Sequence, residues 1–148
     1  KNTMSQIEDF LTAGEEAEVI EAIVQAERNT SGEIRIHLEA TTKLEPYKRA
    51  QEIFHLLKMD NTKEDNGVLI YVAVEDKKFT ICGDKGIHKA VPKDFWDSTK
   101  DIMQSHFQKG QFKQGLVAGI LKAGQELKKH FPWQHEDTNE LSNEISKG

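Results

Sequence analysis

Apolar and polar positions along the first third of the chain predict a helix, a strand and a second helix. Apolar residues recur at helical spacing over about 13–28, and Thr12 to Glu15 has the T-x-x-E form of a capping box. Residues 34–38 then alternate with a period of two, which predicts a strand with one wetter face. Pro46 suits the first turn of a helix that carries an apolar stripe.

The middle of the chain predicts a buried strand followed by a hairpin. Val68 to Val74 is an apolar run that is too short for most helices and typical of a central strand covered on both faces. The chain can turn near Asp76 into a third strand at 79–82. Because a helix joins the first two strands, they should be parallel with a right-handed crossover, and the third should be antiparallel to the second. This order of elements predicts an α/β fold with a small mixed sheet of three to four strands.

Two further helices are predicted before the composition changes. Asp94 is expected to cap a helix that ends at Lys109-Gly110, and a longer helix should run from Phe112 to Pro132. From Gln134 onward the sequence is polar and acidic, which predicts a loosely held tail. The expected organisation is an N-terminal extension over 1–12, one domain over 13–132 and a polar tail over 133–148.

Composition and charge exclude several functions. The chain has 148 residues with 20 basic and 25 acidic side chains, a formal net charge of -5, so it lacks the basic stripe that nucleic acid needs. The run at 68–74 is far shorter than the roughly 20 residues of a membrane helix, and the first residues lack the apolar region of a secretory signal. We therefore expect a cytoplasmic protein without a membrane segment. Cys82 is the single cysteine, so no internal disulfide is expected, and its position indicates a small core residue.

Motifs of several well-known sites are missing. The segment Gly83-Asp84-Lys85-Gly86 lacks the spacing of a phosphate-binding loop, and the six histidines form neither H-E-x-x-H nor a zinc pattern with paired cysteines. If Gly67 is placed at the sixth position of an EF-hand loop, the twelfth falls on Ala73, where a glutamate is required. No nucleophile and base can be nominated from the sequence.

One cluster of oxygen donors is nevertheless predicted. The loop before the second strand is rich in acidic and amide side chains, and a hairpin centred near residue 76 sets Gly67 opposite Asp84. Asp65, Asn66 and Asp84 should therefore meet at one end of the sheet, with Asp94 within reach. Hard oxygen donors of this kind suit Ca²⁺ or Mg²⁺. The alternative is that Asp65 and Asn66 only form a turn, Asp84 is a solvated loop residue and Asp94 is only a helix cap.

Four segments, in this order, carry a family resemblance. They are Thr30-Ser31-Gly32-Glu33-Ile34-Arg35-Ile36, Asp65-Asn66-Gly67-Val68-Leu69-Ile70, Cys82-Gly83-Asp84-Lys85-Gly86-Ile87, and Phe107-Gln108-Lys109-Gly110-Gln111-Phe112 with Gly115 and Ala118-Gly119-Ile120. Together they resemble the TPM domain family, named for a thylakoid lumen protein, a photosystem II repair factor and a modulator of acetylcholine receptors. The resemblance covers about residues 13–131.

The resemblance implies a three-layer α/β/α sandwich with a divalent-cation site, usually described for calcium, at the loops beside the strand pair. By this resemblance, Asp65, Asn66 and Asp84 are expected to be the ligands of the cation. Some plant members of the family are credited with acid phosphatase activity. Many relatives have a secretion signal and a C-terminal membrane helix, so this chain looks like a cytosolic, single-domain branch. It also has Gly-Asp-Lys-Gly at 83–86, where many relatives have a Gly-x-Gly turn.

Two functions follow as hypotheses. The first is a soluble module that binds Ca²⁺ or Mg²⁺ at this cluster, presents the ion to a protein partner of unknown identity and has no efficient catalysis of its own. The second is a metal-dependent phosphatase in which the cluster polarises a phosphoryl oxygen while Lys85 or His88 assists. A positioned base or nucleophile would distinguish the second function from the first.

Overall fold

The computed structural model describes residues 9–133 and 140–148, which form helices on both sides of one sheet. The helices are α1 (Ala13–Glu27), α2 (Pro46–Leu56), α3 (Lys85–Ala90), α4 (Asp97–Phe107) and α5 (Phe112–His130); the strands are β1 (Glu33–Glu39), β2 (Gly67–Ala73), β3 (Lys78–Gly83) and β4 (Ser146–Lys147). None of these helices is long and apolar enough to cross a membrane.

The strands form one mixed sheet in the order β3-β2-β1-β4. β1 and β2 are parallel and β2 and β3 are antiparallel, as predicted. The hairpin register also confirms the prediction, because Val68 faces Gly83 and Ala73 faces Lys78. Every residue of β2 is buried, so it is the interior strand that its apolar run predicts.

Two apolar cores hold the helices against the sheet. The larger lies between one face of the sheet and helices α1, α4 and α5, and its fully buried side chains include Ile23, Ile34, Ile36, Ile70, Met103, Leu116 and Ile120. The smaller lies under α2 on the opposite face and includes Ile53, Phe54, Met59, Leu69 and Tyr71. The α/β/α sandwich is therefore confirmed, with the thicker layer on the α1, α4 and α5 side.

The ends of two helices test the capping predictions. The capping box of α1 is present, since Glu15 N–H donates to Thr12 Oγ1 and Thr12 N–H donates to Glu15 Oε1. The Asp94 cap is wrong: α4 begins only at Asp97, and Asp94 lies in the preceding turn, where its main-chain oxygen accepts from Asp97 N–H at 3.0 Å. Phe95 packs into the larger core, and this burial sets the path of the turn in place of a cap at Asp94.

The alternation of apolar and polar residues in β1 predicts that its polar face is exposed to solvent, but in the structure this face is largely buried. Glu33, His37 and Glu39 are only 4%, 3% and 8% exposed. The residues that cover them come from α2, which contributes Arg49, and from the C-terminal segment, defined here as residues 140–148. Glu33, His37 and Glu39 therefore bond to protein instead of water. Arg35, the fourth polar residue of the strand, is half-buried, and its Nε has no hydrogen-bond partner among the described residues.

The C-terminal segment is bound to the sheet at both of its ends. The N–H groups of Glu140 and Leu141 both donate to Glu33 Oε1, at 2.7 and 2.6 Å, and β4 pairs in parallel with β1. Ser146 Oγ lies 2.9 Å from His37 Nδ1. The prediction of a loose tail is wrong for residues 140–148, and its remainder at 134–139 lies outside the described residues.

Contacts of the domain also begin before the predicted boundary at residue 13. Leu11 is 3% exposed and belongs to the larger core, and the ring of Phe10 lies 4.6 Å from that of Phe112. The rest of the predicted N-terminal extension, residues 1–8, lies outside the described residues.

A carboxylate joins the end of α1 to the start of β1. Glu27 Oε2 accepts from Ile34 N–H at 2.8 Å. Burial raises the pKa of Glu27 from 4.5 to about 7, the hydrogen bond from Ile34 opposes this rise, and the charge of Glu33 adds to it. The folded protein therefore holds a proton here that the unfolded chain loses near pH 4.5.

Stability should consequently fall as pH rises from 4.5 to 7, and Glu27→Gln should remove part of this loss. Glutamine keeps an oxygen acceptor for Ile34 and does not ionise, so at pH 8 the variant should be more stable by about 1 kcal/mol, a figure reduced for the partial exposure of Glu27. Near pH 4.5 the two proteins should match. Urea unfolding at both pH values measures this difference, with the exposed Glu21→Gln on the same helix as control. Equal stabilities at pH 8 would show that Glu27 does not carry the effect.

Candidate functional site

The candidate site is the end of the sheet where the loop before β2 meets the loop after β3. Asp84 N–H donates to Gly67 O, and Gly86 N–H donates to Asp65 O, both at 2.9 Å. A Cβ built on Gly86 would lie 2.4 Å from Glu64 O and 2.5 Å from Asp65 O. The two backbones are therefore in contact here, and they bring Asp65 and Asp84 to the same end of the sheet, as predicted.

Asp84 is a buried carboxylate that is only half satisfied. It is 8% exposed, and its Oδ1 accepts from Lys85 N–H at 2.7 Å, which caps α3. Its Oδ2 is buried and has no hydrogen-bond partner among the described residues. A buried, unpaired anionic oxygen is unfavourable unless a proton or a cation reaches it.

Burial raises the pKa of Asp84, and nearby charges act on it as well. The hydrogen bond from Lys85 N–H opposes the rise, while the negative charges of Asp65 and Asp60 add to it. Asp60 belongs to the acidic loop but was not a predicted ligand, and its Oδ2 lies 3.2 Å from His55 Nδ1. Asp94 lies in the turn before α4, where its main-chain oxygen accepts from Asp97 N–H.

Asp65 supplies the second carboxylate. It adopts a left-handed backbone conformation with φ of 52°, and its Oδ2 lies 3.7 Å from Lys85 Nζ. The two side chains are 36% and 70% exposed, so this is a weak, solvent-screened pair. Lys85 therefore offsets charge near Asp65 without bonding to the buried oxygen of Asp84.

Asn66 holds the loop in place through bonds on three sides. Its Nδ2 donates to Ser31 Oγ at 3.1 Å, its N–H donates to Thr62 Oγ1 at 3.3 Å, and its main-chain oxygen accepts from Glu33 N–H at 3.3 Å. It is 2% exposed. These bonds join the loop to the start of β1, so Asn66 positions Asp65.

The arrangement lacks a ready-made cluster of metal-binding side chains. Within residues 9–133 and 140–148, no three His, Cys, Asp or Glu side chains are placed to hold a metal ion together. Asp65 and Asp84 would need main-chain oxygens or water to complete a coordination sphere. Ca²⁺ and Mg²⁺ accept such mixed oxygen donors, and Mg²⁺ in particular keeps several waters.

Helix α3 is the element that sequence reasoning missed. It has six residues, includes a glycine and follows Asp84 directly, so it lacks the long apolar periodicity that identifies helices. The signal that could have indicated it is the cap, because an aspartate after a strand is a common helix start. The helix also places His88 Nε2 3.4 Å from Tyr47 Oη.

The α/β/α sandwich with its paired loops is the fold of a TPM domain. The model of the TPM domain family matches residues 4–126, and the chain belongs to this family. It is similar to the NMR structure of the BA42 protein from the psychrophilic bacterium Bizionia argentinensis, at 61% identity and a TM-score of 0.91 over 98% of this chain and 100% of that one. No curated protein matches the chain.

Two more distant structures share the fold alone. The N-terminal domain of a P. gingivalis protein is 20% identical, with a TM-score of 0.67 over 85% of this chain and 83% of that one. The N-terminal domain of the cg2496 protein from Corynebacterium glutamicum is 11% identical, with a TM-score of 0.63 over 78% and 72%. These proteins therefore share the fold of this chain at low sequence identity.

Proposed function

We propose that this TPM domain binds one divalent cation, Ca²⁺ or Mg²⁺, through Asp65 and Asp84. The observation that carries the proposal is the buried Asp84 Oδ2 without a partner among the described residues. A divalent ion would supply the positive charge that this oxygen and the nearby Asp65 carboxylate both favour. Asn66 contributes by fixing the loop, and Asp94 is outside the proposed set of ligands.

Efficient catalysis is not part of the proposed function. Burial raises the pKa of the Cys82 thiol to about 11, although a hydrogen bond with Tyr47 opposes the rise, so Cys82 is a poor nucleophile at neutral pH. His88 Nε2 lies 3.4 Å from Tyr47 Oη, a long hydrogen bond, and burial raises the pKa of Tyr47, so this hydroxyl is also a poor nucleophile at neutral pH. A metal-dependent phosphatase is the second candidate, and it is supported by the family resemblance.

Titration with CaCl₂ or MgCl₂, followed by amide NMR, tests the cation site. We expect signals of residues 64–67 and 83–86 to shift together, with a dissociation constant on the order of 10⁻⁴ M. Asp84→Asn keeps an oxygen to cap α3 but removes the negative charge, so binding should weaken about tenfold or more. The metal-free variant should be up to about 1 kcal/mol more stable at pH 7, because repulsion from Asp65 and Asp60 is gone.

Asp94→Asn is the matched control, and it should bind as the wild type does. Shifts confined to other parts of the chain, or unchanged affinity in Asp84→Asn, would exclude the proposed site. Affinity should also fall on acidification sooner than for an ordinary aspartate pair, because the pKa of Asp84 is raised. Hydrolysis of an aryl phosphate above about 1 s⁻¹ that disappears in Asp84→Asn would favour the phosphatase instead.

A further inference from the structure

An apolar groove lies at the opposite end of the sheet from the candidate cation site. It has a volume of about 340 Å³ and forms where Phe10, the turn between β2 and β3 and the connection between α4 and α5 meet. Lys78 begins β3 and Gly83 ends it, so the strand alone separates the two sites by about 17 Å. The groove is therefore independent of Asp65 and Asp84.

Aromatic side chains form the floor of this groove. The rings of Phe10 and Phe112 lie 4.6 Å apart, those of Phe107 and Phe112 lie 6.0 Å apart, and all three residues are half-buried. Val74 adds a further half-buried apolar side chain. The volume is at the lower end of that of small-molecule sites, which are mostly apolar with a few placed polar groups.

The charged side chains that line the groove are both lysines. Lys77 and Lys78 are exposed at its rim, and neither forms an ion pair with a carboxylate of the described residues. Glu75 and Asp76 precede the lysines in the same turn, and the Asp76 carboxylate accepts hydrogen bonds from Thr41 Oγ1 and Thr42 N–H. Among the residues that line this groove, the charge is therefore positive. An apolar floor with a positive rim complements a ligand that has an apolar body and an anionic head.

A second depression adjoins the groove. Its volume is about 470 Å³, and it shares Phe10, Val74, Lys77 and Phe112 with the groove and adds Glu75. The two adjoining depressions together offer apolar contacts to a flexible alkyl chain through Phe10, Val74 and Phe112. We propose that this groove binds a linear carboxylate amphiphile, a medium-chain fatty acid, with its alkyl chain over the phenylalanines and its carboxylate at Lys77 and Lys78.

The backbone of Lys77 allows a clean test of the charge. Lys77 has a left-handed conformation with φ of 55°, which glycine adopts without steric cost. Lys77→Gly therefore removes the cation without destabilising the turn. Lys58 is the matched control, because it is exposed, has φ of 57° and lies in the turn that follows α2.

Titration of the full chain with sodium decanoate below its micelle concentration, in the presence of chelator, tests the proposal by amide NMR. We expect shifts at residues 74–78 and 107–112 and none at 64–67. Lys77→Gly should bind about threefold more weakly, the loss of one exposed ion pair, and Lys77→Gly with Lys78→Gln about tenfold more weakly. Lys58→Gly should bind as the wild type does.

Three results would overturn the proposal. The first is equal binding of decylammonium, since a cationic head should be rejected by the lysines. The second is unchanged decanoate affinity in the double variant. The third is nuclear Overhauser contact of the Met4 or Ile7 methyl groups with the Phe112 ring in the free protein, which would show that the chain itself fills the groove. None of these results bears on cation binding, because divalent ions are removed by the chelator.

Discussion

Replacing Gly86 with alanine is expected to destabilise the domain by about 3 kcal/mol and to abolish the divalent-cation binding proposed above. The new Cβ would lie 2.4 Å from Glu64 O and 2.5 Å from Asp65 O, well inside van der Waals contact. Both neighbours are backbone atoms, so the clash cannot be relieved by rotating a side chain. Separating the loops also breaks the 2.9 Å hydrogen bond from Gly86 N–H to Asp65 O. Asp65 would then move away from Asp84.

Thermal and urea unfolding measure the stability of Gly86→Ala, and titration with CaCl₂ measures its affinity for calcium. The control is Gly14→Ala, because a Cβ at Gly14 meets only Thr12 Oγ1 at 4.0 Å and lies in the first turn of α1. Alanine favours the helix, so this variant should be as stable as the wild type or up to about 1 kcal/mol more stable. A small effect of Gly86→Ala, with calcium affinity retained, would mean that the loops separate freely and that their contact does not build the site.

The second large effect on stability is expected from a buried polar network at Glu39, the last residue of β1. Glu39 accepts hydrogen bonds from Arg49 Nη2 at 2.6 Å, Arg49 Nε at 3.0 Å and Tyr71 Oη at 2.5 Å, and its Oε1 lies 3.4 Å from His37 Nε2. Burial by itself would raise the pKa of Glu39, but the hydrogen bonds from Arg49 and Tyr71 outweigh it and lower the pKa. Burial lowers the pKa of His37, although Glu39 opposes this. One carboxylate thus joins β1, β2 and α2.

Glu39→Ala is expected to cost about 4 kcal/mol at pH 7. The substitution leaves the fully buried Tyr71 hydroxyl without the acceptor Glu39 and removes two of the three hydrogen bonds that Arg49 donates within the described residues, so that Arg49 keeps its bond to Glu52. Glu52→Ala is the control, because it removes the 52% exposed partner of the same arginine and should cost less than about 0.5 kcal/mol. Urea unfolding of both variants measures the difference.

The pH dependence provides a second readout of Glu39. Its pKa is lowered in the folded state, so its contribution is present above the ordinary value of 4.5 and is lost as pH falls through the folded value. The wild type should therefore lose more stability on acidification than Glu39→Ala does. Equal losses in the two proteins, or equal costs of Glu39→Ala and Glu52→Ala, would show that the network is not the source of the stability.

The local pattern of the sequence was sufficient for much of the fold. The capping box of α1, the start of α2 at Pro46 and the apolar run of β2 depend on neighbours within a few residues, so they can be identified without the tertiary structure. The hairpin register depends only on the two-residue period of strands and the length of the turn. It correctly places Asp65 and Asp84 at one end of the sheet.

The tertiary structure decided which of the predicted site residues lie close to one another. Asp65 and Asp84 meet because the register fixes their loops, while Asn66 bonds to Ser31, a partner 35 residues away. Asp84 Oδ2 is buried without a hydrogen-bond partner among the described residues, and no sequence pattern reports the burial of a single atom. The assignment of Asp94 as a cap failed because core packing of Phe95 outweighs local capping preference.

Long-range contacts decided the character of β1. Its alternating polar residues predict a wet face, yet Glu33 bonds to the backbone of Glu140 and Leu141, 107 and 108 residues away in sequence. Alternation along a strand reports which side chains are polar but not what covers them. Burial raises the pKa of Glu33 to about 7, although the hydrogen bonds from Leu141 and Glu140 N–H oppose the rise, so protein groups have replaced water around this carboxylate. The sequence by itself therefore determined the elements, their order and the hairpin register. Only the tertiary structure decided that the C-terminal segment and Arg49 of α2 cover the polar side chains of β1.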